Sequence, residues 1–254
     1  MGPDSKPAAA PVALLTIDHV AKRNALDPAL FDALCRAIER AAREGARAAV
    51  LTGAGPTFSA GYDIRALPEE PDSDWLRGHG PLAAALHAVS QGPLPVIAAL
   101  NGPAIGAGCE LALACDLRVG HPGVQLLMPP VRMGLVYTPL GVARLCALCG
   151  LARAREILLL AQPVEAADAL ALGLLNRLVP AEEVQATALE LARKVAAMPP
   201  LAVRGTRVLM EALLSQQGGS ALPAAVDAEI LALREAAWRS PESRAARAAF
   251  RSRR

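Results

Sequence analysis

The sequence predicts an α/β fold with an all-helical C-terminal third, and three observations carry that reading. Short apolar runs rich in β-branched residues recur at 12–17, 48–52 and 94–100, each followed by turn and helix-forming sequence. Beyond Pro180 only helical stretches remain. The chain has 254 residues, 53% hydrophobic and 20% charged. A domain of that size buries roughly 70% of its unfolded surface, so a large core needs neither disulfide nor metal.

Residues 12–17 open the pattern as a strand. After the polar Lys22-Arg23-Asn24, the pair Asp27-Pro28 marks a helix N-cap with proline in the first turn. The helix predicted over 28–44 sets Leu30, Leu34, Ile38 and Ala41 on one face and Asp32, Arg36, Glu39, Arg40 and Arg43 on another, and Gly45 ends it. A strand over 48–52 follows at once. Residues 67–80, with their run Pro68-Glu69-Glu70-Pro71-Asp72-Ser73-Asp74-Trp75, read as a mobile acidic loop that either borders a site or is simply solvated. A third strand over 94–100 feeds a glycine-rich turn and a helix, and strands over 117–119 and 124–127 precede a helix near 137–148. The C-terminal helices are expected over 181–197, 200–214 and 222–238, with breaks at Pro199-Pro200 and 216–220.

Composition removes several function classes. With 26 Lys and Arg against 24 Asp and Glu, the net charge of +2 gives little long-range steering toward nucleic acid. The locally basic Arg244, Arg247, Arg251, Arg253 and Arg254 read as a solvated helix face. Aromatic residues make up 3% of the chain, too few for base-stacking platforms. The run 94–100 is cut by Asn101, Gly102 and Pro103 well short of the roughly 18 apolar residues of a membrane helix. The first residues lack the charged-then-apolar layout of a secretory signal, and the five cysteines (Cys35, Cys109, Cys115, Cys146 and Cys149) lie in apolar, helix-like sequence. Reduced thiols in a cytoplasmic protein are therefore expected, with neither a membrane nor a nucleic acid as partner.

Three short motifs yield little. Gly53-Ala54-Gly55 follows a strand, but Pro56 comes next and the third glycine of a dinucleotide fingerprint is missing. Ser59 lacks the first glycine of a nucleophile elbow and no histidine is spaced to serve as its base, so a serine hydrolase is the lesser reading. Cys146 and Cys149 form a lone C-x-x-C in an apolar helix, which favours packing over zinc or redox chemistry, and no metal ligand is assigned.

Two segments are more informative. From Leu51 to Ile64 a strand runs into small residues that let backbone approach a ligand closely. From Asn101 to Ala112 a strand meets a helix N-terminus through glycines, a place where N–H groups bind an oxyanion. Together they make a two-donor hole. Glu110, a lone acid between Cys109 and Leu111-Ala112-Leu113, is expected to be desolvated with its proton affinity raised, which marks it as a functional candidate.

These segments, together with Lys22-Arg23-Asn24-Ala25-Leu26 and the stretch 167–179, resemble the crotonase, or enoyl-CoA hydratase/isomerase, superfamily in order over most of the chain. The resemblance implies a crotonase-like spiral of β-β-α units over 1–195 and a helical trimerisation region over 196–254, assembled as a homotrimer or a dimer of trimers. It also implies an acyl-CoA thioester substrate, with coenzyme A part of that substrate and no separate cofactor. By the family's pattern the backbone N–H groups of Tyr62 and Ala107 hold the thioester oxygen and stabilise an enolate. Contacts to CoA are implied at Lys22, Arg23, Ala25, Ala60, Asp63, Ile64 and Arg65. Phe250 and Arg253 fit a C-terminal element that in relatives reaches a neighbouring subunit's CoA.

The family's hydratases use two glutamates to add water and a proton across adjacent carbons. Glu110 matches the first, and aligning 128–134 with the second motif puts Pro130 where the second would stand. Proline transfers no proton, so Glu110 acts alone or with a non-carboxylate partner. Gly134-Leu135-Val136-Tyr137 resembles the methylmalonyl-CoA decarboxylase branch, in which a tyrosine lies beside the substrate carboxylate and loss of CO₂ gives the same enolate. That branch carries threonine at the position of Pro129, and Tyr137 is equally readable as a packed residue near a helix start. Three readings follow. The first is an enzyme of the hydratase/isomerase type with Glu110 as acid and base, the second a decarboxylase of a malonyl-type thioester through Tyr137, and the third a non-catalytic acyl-CoA or RNA binder.

Overall fold

The computed structural model describes residues 11–218, 231, 232, 235, 238, 239 and 241–252. Eight strands are present among them: β1 (Val12–Ile17), β2 (Ala48–Gly53), β3 (Val96–Ala99), β4 (Ala104–Ile105), β5 (Leu117–Gly120), β6 (Gln125–Leu127), β7 (Val164–Glu165) and β8 (Arg177–Leu178). The α-helices are α1 (Pro28–Arg43), α2 (Ser73–Leu76), α3 (Pro81–Ser90), α4 (Ala107–Ala114), α5 (Pro139–Leu160), α6 (Ala166–Ala171), α7 (Val184–Ala196), α8 (Pro200–Gly218) and α9 (Pro241–Ser252). Short 3₁₀ turns include Ile64–Ala66 and Pro130–Met133.

The strands form two sheets, and the chain winds between them. One is parallel with order β1-β2-β3-β5-β8, and the other has order β4-β6-β7. After β2 the chain crosses to pair Ser59 with Ala104, after β3 it crosses to β4 and enters α4, and after β5 it crosses to β6 and enters α5. Each turn thus spends one strand in each sheet and then a helix, which is a spiral of β-β-α units. Every residue of β2 and β3 is buried, as a parallel sheet covered on both faces requires. On one face Phe31, Leu34 and Ile38 of α1 join Leu51, Ala98 and Leu111 in the main core. On the other, α7 lays Val184, Ala188, Ala192 and Ala196 against Val50, Ile97 and Ala99, a four-residue spacing of mostly alanines that brings the helix backbone close to the sheet.

Local signals account for several element ends. Asp27 Oδ1 accepts from the Leu30 N–H at the start of α1, as the Asp27-Pro28 pair predicts. The expected helix near 137–148 begins instead at Pro139, because Thr138 is its N-cap, and it continues through a break at Gly150 (φ +75°) to Leu160. The stretch 67–80, expected as a loop, holds the short helix α2 capped by Asp72, with Leu67 and Leu76 buried. The helix expected over 200–214 runs on to Gly218, through the first part of the expected break. Most of the helix expected over 222–238 lies outside the described residues, and Leu231, Ala232, Glu235 and Trp238 are helical. No described helix is long and apolar enough to cross a membrane.

The C-terminal helices are pinned to the spiral by Arg207 of α8, which is only 5% exposed. Its Nε donates to Asp116 Oδ1 (2.7 Å), and its terminal nitrogens donate to the carbonyls of Val89, Ser90 and Gly92 at the end of α3. Asp116 accepts in turn from the Val96 N–H. Burial raises the Asp116 carboxyl pKa above its ordinary value and outweighs the lowering by Arg207. Removing one partner of such a buried pair leaves the other uncompensated. Arg207→Ala is therefore expected to cost about 3–5 kcal/mol in urea unfolding, and a loss below about 1 kcal/mol would show that the contact is not structural.

Candidate active site

The site is built where two backbone segments pass in near contact. Gly61 lies at φ +92°, and a Cβ placed there would meet the Ile105 carbonyl oxygen at 2.5 Å and the Ala107 nitrogen at 3.4 Å. Leu26 donates to Gly61 O and accepts from Asp63 N, both at 2.7 Å, in a parallel bridge opposite Tyr62. That bridge uses the neighbours of Tyr62, so the Tyr62 N–H faces away from Leu26. Gly106, at φ +54° and ψ −120°, turns the chain into α4 and leaves Ala107 as the first helical residue. Among the described residues neither the Tyr62 nor the Ala107 N–H donates to a carbonyl or a side chain.

Polar side chains hold this crossing. Asn24, in the left-handed region at φ +57°, donates through Nδ2 to the carbonyls of Ala54 and Thr57 and accepts from the His19 N–H. Asn101 accepts from Gly53 N and donates to Gly55 O. Ser59 donates its hydroxyl to Asn24 O and accepts from Gly61 N, and a Cβ on Gly108 would lie 2.6 Å from Ser59 Cβ. The Ser59 proton is thus engaged in holding the fold, which removes the serine-nucleophile reading.

A cavity of about 330 Å³ opens beside the crossing. Tyr62, Ala107, Glu110, Tyr137 and Thr138 line it together with Pro129, Pro130 and Met133, and so do Leu82 and the apolar cluster of Leu67, Trp75, Leu76 and Trp238. Glu110 is 3% exposed in the first turn of α4. Thr138 Oγ1, which caps α5 by accepting from Gly141 N at 3.1 Å, lies 3.0 Å from Glu110 Oε1. Burial, and next the charge of Glu110, push the Tyr137 phenol well above its usual range. The same two causes, burial first, push the Cys109 thiol up to about 12. Neither group ionises near neutrality. Pro129 and Pro130 offer no proton-transfer group at the wall where the family's second glutamate would stand.

The other residues singled out in the sequence fall in three places. Arg23, Ala60 and Ile64 line the cavity with Tyr62 and Ala107, whereas Ala25 and Arg65 are not among its lining residues. Lys22 and Asp63 form an ion pair at 2.8 Å, and the Lys22 hydrogen bond holds the Asp63 carboxyl below its ordinary range. Phe250 belongs to α9, but its side chain, like all of Arg253, lies outside the described residues.

Sequence reading missed Thr138 and the aromatic closure. Trp75 and Trp238 meet edge to face with centroids 4.8 Å apart, and the Trp238 indole N–H donates to Glu69 O. Arg247 stacks 4.2 Å above the Trp238 ring and Arg251 reaches Ile64 O. The last helix therefore lies beside its own chain's cavity.

Known proteins share this architecture. The model of the family described as enoyl-CoA hydratase/isomerase matches residues 8–254. A Mycobacterium bovis protein called "Probable enoyl-CoA hydratase echA6" is 39% identical over 197 residues, 76% of each chain. The 2,3-dehydroadipyl-CoA hydratase of Escherichia coli is 35% identical over 198 residues, 77% of this chain and 76% of that one. A solved structure of methylmalonyl-CoA decarboxylase with 2-nitronate-propionyl-CoA superposes with TM-score 0.87 at 27% identity, covering 96% of this chain and 93% of that one.

The crossing yields a paired prediction, because Gly45 has φ +91° with nothing within 4 Å of an added methyl and Gly61 has nearly the same φ with a carbonyl in the way. Gly45→Ala reads the backbone strain alone, about 1–2 kcal/mol. Gly61→Ala is expected to cost at least about 1 kcal/mol more in thermal or urea unfolding, and equal losses would show that the crossing has room to spare.

Proposed function

The chain belongs to the enoyl-CoA hydratase/isomerase family, and on that premise we propose that it is an acyl-CoA enzyme in which Glu110 moves a proton to and from an enolate. The observation that supports this reading most is the placement of one buried carboxylate beside two undonated amides in an apolar cavity. The Tyr62 and Ala107 N–H groups hold the thioester oxygen. Glu110 takes a proton from the carbon next to the thioester carbonyl, the electron pair moves onto that oxygen, and the two amides stabilise the charge that develops there. The same carboxyl returns the proton at another carbon of a conjugated enolate, so a double bond shifts with no net gain or loss of atoms. With Pro130 where a second carboxylate would stand, one-base chemistry of this kind suits the cavity better than two-carboxylate hydration.

The acyl part of the substrate is apolar, since Leu67, Trp75, Leu76, Leu82 and Trp238 line the cavity beside Glu110 and the two amides. Arg23, exposed at the rim, and the Lys22–Asp63 pair are the side chains placed to meet the CoA portion. Coenzyme A enters as part of the substrate and no further cofactor is needed. A second reading, decarboxylation of a malonyl-type thioester, draws on the structural likeness to methylmalonyl-CoA decarboxylase and on Tyr137, whose neutral phenol would donate to the leaving carboxylate.

The chain is further proposed to assemble as a homotrimer or a dimer of trimers. Leu201 (83% exposed) and Leu209 (61%) on α8, with Leu159 (69%) on α5, offer apolar surface of the kind that assembly covers.

Incubation with crotonyl-CoA, 3-hexenoyl-CoA and methylmalonyl-CoA in D₂O, read by mass spectrometry, separates the readings. Deuterium uptake with a moved double bond in 3-hexenoyl-CoA, at least about 100-fold slower in Glu110→Gln, is the expected outcome. Loss of CO₂ that survives Glu110→Gln and fails in Tyr137→Phe would replace the first reading by the second, and binding without any turnover would leave only the non-catalytic one. Light scattering is expected to give the mass of three or six chains, and a monomer at micromolar concentration would contradict the assembly.

A further inference from the structure

Thr138 makes two hydrogen bonds with one hydroxyl, and only one of them is needed to start the helix. Its Oγ1 accepts from the Gly141 N–H at 3.1 Å, which is the capping bond. That leaves its single proton for Glu110 Oε1 at 3.0 Å. Gly141 contributes by what it lacks, because a Cβ there would lie 2.4 Å from Glu110 Oε1. The carboxylate therefore rests against bare backbone in the first turn of α5, a turn with no acidic residue of its own. Glu110 supplies the negative charge that the N-terminal end of a helix favours. Asp, Asn or Ser at 138 would cap α5 equally well, so capping alone does not account for the contact with Glu110.

We infer that Thr138 and Gly141 are positioning residues for Glu110, together forming a cradle at the start of α5 that fixes one carboxylate oxygen and favours the ionised form between proton transfers. The inference rests on the reading of Glu110 as the proton-transfer group. The titratable groups that feel the charge of Glu110 include Tyr137 and Cys109, both pushed up by burial first, and Arg23 lines the same cavity. Neither Tyr137 nor Cys109 ionises where a carboxyl titrates, so the acid side of a pH–rate profile reports Glu110.

The test follows deuterium exchange into 3-hexenoyl-CoA across pH for the wild-type chain, Thr138→Ser, Thr138→Val, Thr138→Asp and Glu110→Gln. Thr138→Ser keeps both bonds and is expected to stay within about threefold of wild type, its acid limb unmoved. Thr138→Val removes both bonds. Thr138→Asp keeps the capping acceptor and sets a second carboxyl beside Glu110 in place of the hydroxyl donor, and urea unfolding checks that the fold is held. Both Val and Asp are expected to lower kcat about tenfold with KM within about twofold, and to move the acid limb up by about one pH unit. If Thr138→Asp keeps kcat within about twofold with an unmoved limb while Glu110→Gln abolishes exchange, the cradle is refuted and the role of Glu110 stands. If the wild-type chain shows no exchange, or Glu110→Gln exchanges normally, the role of Glu110 and the cradle fall together.

Discussion

Everything at the site depends on two stretches of backbone passing each other with no side chain between them. Gly61 against Ile105, and Gly108 against Ser59, bring the 59–62 segment and the start of α4 into a contact that a single methyl would prevent. Glycine brings an entropic cost to such a place, and the structure offsets it with amide side chains that take up nearby peptide groups. Asn24 and Asn101 do this together along residues 53–57, the stretch that leads into the crossing. Around the two amides that line the cavity, the N–H groups of Ala60, Gly61, Asp63, Ile105 and Gly106 all have partners, and those of Tyr62 and Ala107 do not.

The proton chemistry proposed for the chain has a matching economy. Glu110 is almost wholly buried, yet it sits against the first turn of a long helix and a hydroxyl that donates to it. Tyr137 and Cys109, packed within reach of the same charge, are driven toward their neutral forms. Burial does most of this, and Glu110 is the one carboxyl among the described residues that line the cavity.

How far this could be read from the sequence depends on distance along the chain. The first helix was legible because its cap, its periodicity and its terminating glycine are all local, and Glu110 stood out because an acid among apolar helix residues is a local anomaly. Thr138-Pro139 carries the same cap-then-proline signal as Asp27-Pro28, and it would have placed the start of α5 correctly and drawn attention to Thr138. The third helix, Pro81–Ser90, escaped because its residues are apolar nearly all round, with no polar stripe to set the period. No local pattern could announce that Trp75 would meet Trp238, or that an acidic loop would be held by a tryptophan near the other end of the chain.

Those separations have a consequence for how the molecule comes into being. The Thr138–Glu110 bond joins residues 28 apart, while Trp238 to Glu69 spans 169 and Arg251 to Ile64 spans 187. Loop-closure entropy grows with the length enclosed, so the inner wall of the cavity assembles from cheap, short closures and its mouth from the most expensive ones. On a ribosome the carboxylate, its helix and the crossing can all be in place while the apolar face around Trp75 still waits for residues that have not been made. The unfinished chain is most exposed to wrong association at the rim of its cavity, and the arrival of Trp238 against Trp75 is what ends that exposure.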